Sequence, residues 1–406
     1  MKVGNKLKFQ EVKDTIIKAV SQTLGSEYLE QSGLINATES FNIADVGKAV
    51  LDSGSVEPFT RSLISVMAYT DIINNNFDKS IKSLEVDSFE WGGFIQRVYI
   101  DLLDIVDDPM YTLTNGVDYS AIEHKAYIPV TKSKIFEEGK PFMIPLTIQA
   151  ETLKEAFTNW SSLNKYLTGI RTKQRDTMNL ARYVMEKMLV SCACAVSTSP
   201  NGLNNAVHLI TDAKSDGIVP SSVESYADII ALGADAHKRF LIYVAKVIAN
   251  TRSQLEEFTK VYNNGEVPTG GESKLLLISK FSKDFRFDAE ANTFNDEKLA
   301  FGEYEELTSW QGLHDETNTK AFNLESLTTI HLAADSNNKL GIGTAAYKKS
   351  GIVGLAWQKK ALGICLDRVK MTSNYTACAD FWNEFLHVLM NYILDTNLGM
   401  VAFVLD

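Results

Sequence analysis

The residues most capable of chemistry are glycines, histidines, cysteines and carboxylates in short, suggestive spacings, and each spacing lacks a residue its chemistry requires. Gly265 to Gly271 has the outline of a phosphate loop, in which backbone N–H groups cradle phosphate oxygens and a lysine reaches them. Gly271 stands where that lysine belongs, followed by Glu272. Gly341-Ile342-Gly343 with Ala346 fits a relaxed dinucleotide fingerprint, yet Lys348, Lys349, Ser350 and Gly351 follow instead of the helix that completes a βαβ unit, so a turn is expected. His124, His208, His237, His314, His331 and His387 show neither H-E-x-x-H nor any paired spacing, and His314-Asp315-Glu316 reads as exposed loop. Cys192 and Cys194 form C-x-C with no second pair nearby, which favours packing over zinc. Asp101, Asp104, Asp107 and Asp108 lack the glycine and distal glutamate of a calcium loop and read as a solvated acidic segment. The expectation is a chain without catalytic residues, cofactor or metal site.

Bulk properties narrow the classes further. The 406 residues exceed what one hydrophobic core usually serves, so two or more lobes are expected. Forty Lys and Arg stand against 51 Asp and Glu, a formal net charge of -11, which argues against gripping phosphate backbones through counterion release. Cys192, Cys194, Cys365 and Cys378 are too few for a disulfide framework and are expected to be reduced and buried. The start, MKVGNKLKFQEV, has no apolar stretch of the signal-peptide kind, and no window reaches 18 uninterrupted apolar residues, so neither export nor a membrane span is expected.

The elements suggest five stretches. Residues 1–84 read as an arm with early amphipathic helices, carried by Val46, Val50, Leu51, Phe59, Leu63, Val66 and Met67. Residues 85–150 read as a long β-hairpin: Phe94 to Ile100 and Ala126 to Phe136 are rich in aromatic and β-branched residues, and Phe142 to Ile148 follows a Gly139-Lys140-Pro141 turn. Pro129, Pro141 and Pro145 cannot donate to a ladder, which confines those strands to edges or bulges. A hairpin alone buries too little apolar surface, so it needs a partner. A neighbouring subunit is one candidate, with Arg97, Lys132, Lys134, Glu137, Glu138 and Lys140 as the residues for salt-sensitive contact. Spacing alone equally allows the hairpin to lie on its own chain.

Residues 151–199 contain the strongest helical pattern, Thr152 to Val190, with Ile170, Met178, Ala181, Val184, Met185 and Met188 as one apolar stripe. In residues 200–350, helices at Val223 to Leu232 and Lys238 to Thr259 alternate with strands at Leu275 to Ile278 and Ser326 to Ala333, so this lobe is α+β or α/β. Residues 351–406 read as a strand at Gly354 to Leu366, a helix-compatible stretch at Phe381 to Leu394, and a strand at Met400 to Leu405. So apolar a terminal strand is explained by docking into a sheet formed earlier in the chain.

Between hairpin and helix the sequence reads GKPFMIPLTIQAETLKEAFTNW. Its Thr147-Ile148-Gln149, Leu153, Ala156-Phe157 and Trp160 resemble the major capsid proteins of small podoviruses of the phi-29 group, where the extended loop passes into the spine helix. Ala44-Asp45-Val46-Gly47 with Phe59, Ser62 and Leu63, and the terminal Val401-Ala402-Phe403-Val404, are similar in type and order to other blocks of that family. The resemblance implies an α+β tailed-phage capsid fold of the Hong Kong-97 type, with N-terminal arm, extended loop, peripheral domain with spine helix, and axial domain. It implies a non-enzymatic subunit that assembles with itself into hexamers and pentamers, and has scaffolding protein and portal as partners. It also implies a shell that encloses double-stranded DNA without sequence-specific binding, assembles in the host cytoplasm and ends in the virion. No immunoglobulin-like decoration is expected after Asp406. The alternatives are an encapsulin-type compartment with the same fold, or an α/β nucleotide-binding enzyme resting on the glycine turns.

Overall fold

The structure is a computed structural model that describes residues 80–86, 95–136 apart from 104, 106, 107, 109, 112–114 and 116–123, then 139–149, 160–287, 302–311, 324–376, 378 and 381–406. The expected arm up to residue 79, the helix start at 152–159, Glu137, Glu138, Asp104, Asp107 and His314 lie outside the described residues.

In chain order the elements begin with β1 (Ile95–Ile100), β2 (Thr131–Phe136), β3 (Gly139–Gln149) and the 39-residue helix α1 (Trp160–Thr198). Next come β4 (Ala206–His208), α2 (Leu209–Ser215), α3 (Tyr226–Ala231), α4 (Ala234–Glu256), β5 (Ser273–Ile278), α5 (Ser279–Phe285) and β6 (Glu305–Leu307). The chain continues with α6 (Leu324–Thr328), β7 (Ile330–Leu332), β8 (Tyr347–Lys349), β9 (Ile352–Gln358), β10 (Leu362–Thr376), β11 (Phe381–Leu394) and β12 (Met400–Val404). The chain forms two compact units, one of residues 1–80, 139–183 and 366–390, the other of 81–138, 184–365 and 391–406.

The second unit is built on a five-stranded mixed sheet in the order β4-β12-β9-β5-β6. β12 runs parallel to β4 and antiparallel to β9, which runs antiparallel to β5; β5 and β6 are parallel. Every residue of β9 and β12 is buried, the signature of strands covered on both faces and the reason they read as unbroken apolar runs. One face packs on Phe240, Leu241, Val244 and Ile248 of α4, with Leu209, Tyr226, Phe281 and Phe285 from the shorter helices. Gly354 marks the tightest approach in β9: a Cβ there would come within 2.7 Å of a Leu277 methyl. The terminal strand docks into an earlier sheet, as its composition requires. α3 starts with a reciprocal cap: Ser225 Oγ accepts from the Asp228 N–H, and the Asp228 carboxylate accepts from the Ser225 N–H at 2.8 Å.

The first unit contains the three-stranded sheet β10-β11-β3. β3 carries Pro141 and Pro145 and lies at the sheet's edge, where a missing donor costs no ladder bond. It is therefore not a third strand of the β1–β2 hairpin. β11 corrects the helix-compatible reading of Phe381 to Leu394. Trp382, Glu384, Leu386, Val388 and Met390 are buried at every second position, a period of two and not of 3.6. Gly354 to Leu366 likewise divides into two strands around Lys359 and Lys360, and Ser326 to Ala333 begins with the end of α6 before β7.

Helix α1 differs from its expected stripe. Met178 is buried, but Gln174, Arg182 and Glu186 share its side of the helix, while Val184 and Met188 are exposed. Glu186 is buried because its carboxylate accepts the Ile81 backbone N–H at 2.8 Å. Toward its end, small residues from Ser191 to Ala195 let the helix run through the interior, where Ser191 Oγ donates to the Trp310 carbonyl at 3.2 Å and Trp310 Nε1 donates to the Ile352 carbonyl at 2.6 Å. Cys194 and Cys365 are buried and Cys192 partly so. Cys378 is exposed, contrary to the expected burial, because it sits in the turn between β10 and β11.

Candidate interaction surface

β1 and β2 pair antiparallel in a register that sets Ile95 opposite Phe136, Arg97 opposite Lys134 and Tyr99 opposite Lys132. Residues directly opposite share a face, so Ile95, Arg97, Tyr99, Lys132, Lys134 and Phe136 form one face of the ribbon and Gln96, Val98, Ile100, Thr131, Ser133 and Ile135 the other. The faces are used in an unusual sense. The charged face lies on the chain's own body, and the face carrying Val98, Ile100 and Ile135 points to solvent with relative exposures of 57%, 61% and 50%. The apolar surface continues past the strand ends through Leu102, Leu103, Ile128 and Val130, all exposed.

The inner face is held by the loops after β11, between β9 and β10, and before β5. Arg97 Nη1 donates to Asp395 Oδ2 at 2.9 Å and to the Lys360 carbonyl at 2.7 Å, and the Tyr99 hydroxyl donates to the same Asp395 oxygen. The Asp395 side chain has no solvent exposure and that of Arg97 has 17%. Burial and the adjacent Asp395 carboxylate push the Tyr99 phenol far above its ordinary pKa, so it stays a neutral donor. Beside them, Lys134 Nζ donates to Thr396 Oγ1 at 3.2 Å. At the rim, Lys132 pairs with Glu266, and Lys260 donates to Asp101 at 3.0 Å, holding the Asp101 carboxyl below its usual value. Arg97 and Lys134 also stand over the Phe136 ring, 5.5 and 5.4 Å from its centroid.

Of the charges singled out from sequence, the structure therefore brings Arg97, Lys132 and Lys134 onto one face and gives each a partner in its own chain. Lys140 lies at the start of β3, with its side chain outside the described residues, as are Glu137 and Glu138. Sequence reasoning missed Tyr99, Asp395 and Glu266. Tyr99 stands among other β-forming residues and Asp395 belongs to no motif; the period-two spacing of Arg97 and Tyr99 was the available signal.

Along α1, Leu180, Val184 and Met188 recur every fourth residue and are exposed. A cleft of about 840 Å³ is lined by Lys82, Arg252, Glu256, Glu272 and Lys359 among others, and at its wall Glu272 pairs with both Lys274 and Lys359. Lys274 and Lys359 hold the Glu272 carboxyl down at about 2, and Arg252 Nε donates to Ser273 Oγ at 3.0 Å. The Gly341-Ile342-Gly343 stretch is a turn with positive φ at both glycines, 70° and 103°. Among the described residues, no group of three or more His, Cys, Asp or Glu side chains is placed to hold a metal ion, and no helix is long and apolar enough to cross a membrane.

Comparison with known proteins adds the following. The sequence model of the Phi29-like phage major capsid protein family matches residues 17–404. The major capsid protein of Bacillus phage PZA is 23% identical over 179 residues, covering 43% of this chain and 37% of that protein. That of Bacillus phage B103 is 21% identical over 179 residues with the same coverage. The chain thus aligns with little more than a third of these relatives' length. Among solved structures, a chain in the capsid structure of Staphylococcus phage Andhra superimposes with a TM-score of 0.50 at 10% identity, covering 81% of this chain and 84% of that one, a likeness of fold alone.

Proposed function

Because this chain belongs to the Phi29-like phage major capsid protein family and has a tailed-phage capsid fold of the Hong Kong-97 type, we propose that it is a shell subunit that works by assembling with copies of itself. The observation that carries this reading is the β1–β2 hairpin. A free-standing protein turns the apolar face of a hairpin inward; here the polar face is satisfied by the chain and Val98, Ile100 and Ile135 are left outward for another molecule. An exposed apolar patch rimmed by polar residues is the ordinary mark of a protein contact.

Copies would close as hexamers and pentamers, each hairpin covering its apolar face on a neighbour, so that symmetry repeats one modest contact around every ring. The expected charges then divide by role. Arg97, Lys132 and Lys134 fix the hairpin to its own chain, and Glu137, Glu138 and Lys140 remain candidates for direct contact with the neighbour. Scaffolding protein and portal are the further partners, and the enclosed double-stranded DNA is not gripped, in keeping with the net charge of -11. Assembly takes place in the host cytoplasm and the product is the virion shell. Co-expression with the phage's scaffolding gene, followed by negative-stain imaging and light scattering, should give closed particles. A population of monomers alone would overturn the reading.

A further inference from the structure

We propose that Asp395 is the positioning residue of the assembly hairpin: one buried carboxylate gathers two donors from the inner face of β1 and so fixes the direction in which the outer, apolar face is offered to a neighbouring copy. The proposal rests on the reading of that outer face as a contact surface. Arg97 and Tyr99 are two residues apart on one strand, so anchoring both to one oxygen fixes the strand's rotation about its own axis as well as its distance from the body. A one-point anchor leaves that rotation free. The Arg97 bond to the Lys360 carbonyl adds a third point on a different turn.

The carboxylate is itself fixed on two sides. The Asp395 N–H donates to the Ala361 carbonyl at 2.8 Å, and Asp395 Oδ1 accepts the Asn397 N–H at 3.1 Å, so the group belongs to the rigid turn between β11 and β12. β12 is an interior strand of the five-stranded sheet, between β4 and β9. The hairpin's aim is thereby referenced to the most completely buried part of the subunit. Of the remaining ties, Lys134 donates to Thr396 Oγ1 on the same turn at 3.2 Å, while Lys132 to Glu266 and Lys260 to Asp101 join side chains that are 23–46% exposed and contribute little to orientation. Among the described residues, Asp395 alone pairs a fully buried acid with the ribbon, and removing one partner of such a pair disturbs the site far more than removing an exposed one.

Asp395→Asn is the informative change, because its amide oxygen keeps the Asn397 bond while the charge that holds Arg97 is lost; Tyr99→Phe removes a single donor on the hairpin itself. Both are made in the full chain and compared with Val98→Asp/Ile100→Asp, which alters only the outer face. Asp395→Asn should raise hydrogen exchange of the 95–100 and 131–136 amides about tenfold while β9 and β12 amides stay protected, since local opening is governed by local contacts. Particle growth followed by light scattering should slow by about tenfold. Tyr99→Phe should shift both readouts in the same direction by less. If Val98→Asp/Ile100→Asp assembles like the parent, the contact-surface reading falls and this proposal with it. If that variant fails to assemble while Asp395→Asn and Tyr99→Phe assemble at the parent rate, or leave hairpin exchange unchanged, the contact surface stands and the positioning role of Asp395 is wrong.

Discussion

Strand β12 and strand β1 are both short and rich in apolar residues, and the molecule treats them oppositely. All five residues of β12 are buried between β4 and β9, whereas β1 alternates between half-buried Ile95, Arg97, Tyr99 and exposed Gln96, Val98, Ile100. The first strand is completed by dispersion and ladder bonds within the chain. The second has its hydrogen-bonding and charge needs met within the chain and its apolar needs unmet. A subunit that assembles requires both kinds of region: one rigid enough to carry shape, and one whose remaining free energy is released only on contact.

The largest way to test that contrast is to damage the interior. Phe403 is fully buried and lies against the face of Gly354, so Phe403→Ala should lower stability by about 3–5 kcal/mol, through lost transfer energy and the cavity left behind. The urea midpoint should fall with an unchanged slope. A loss under about 1 kcal/mol would mean that β12 is less central than its burial implies.

A smaller effect should separate the regions by salt. Raising ionic strength from about 0.1 to 1 M shortens the screening length from about 10 to 3 Å. The solvent-facing Lys132–Glu266 and Lys260–Asp101 pairs should weaken. Hydrogen exchange should therefore quicken a few-fold in β1 and β2 and not in β9 or β12. Equal change in both would erase the distinction.

The smallest expected effect is on the acid side. Lys274 and Lys359 lower the Glu272 carboxyl from 4.5 to about 2 in the folded chain. A folded value below the unfolded one stabilises fully above pH 4.5, and the contribution fades as pH falls toward about 2. Melting temperatures of Glu272→Gln should therefore fall less steeply than the parent's between those limits, and a parallel pair of curves would refute the assignment.

Much of this architecture was legible from residue order. Met400 to Val404, the two hairpin strands, the turn at Gly341 to Gly343 and the edge placement forced by Pro141 and Pro145 all follow from local rules that tertiary structure did not override. β11 was hidden because Phe381, Phe385 and Leu389 give its second face an apolar character too, which blurs a period of two into a helix-like pattern. The faces of α1 were hidden because Glu186 is buried for a backbone N–H of Ile81, 105 residues away, a demand that periodicity does not encode. The inner face of the hairpin was left open between a neighbour and the same chain for a related reason. Charges at Arg97, Lys132 and Lys134 suggested a neighbour, whereas their partners stand 298, 134 and 262 residues along the same chain.

An interior position of the five-stranded sheet, between β4 and β9, is occupied by the strand synthesised last among its members, after β4, β5, β6 and β9. A growing polypeptide on the ribosome cannot close that sheet until Met400 to Val404 has emerged, because β4 and β9 both need β12 between them. At roughly 5–20 residues per second, the hairpin is exposed for many seconds before the body to which Asp395 ties it exists. Until the Asp395 turn and β12 have emerged the ribbon has no fixed aim, so the order of synthesis sets when it becomes a directed one.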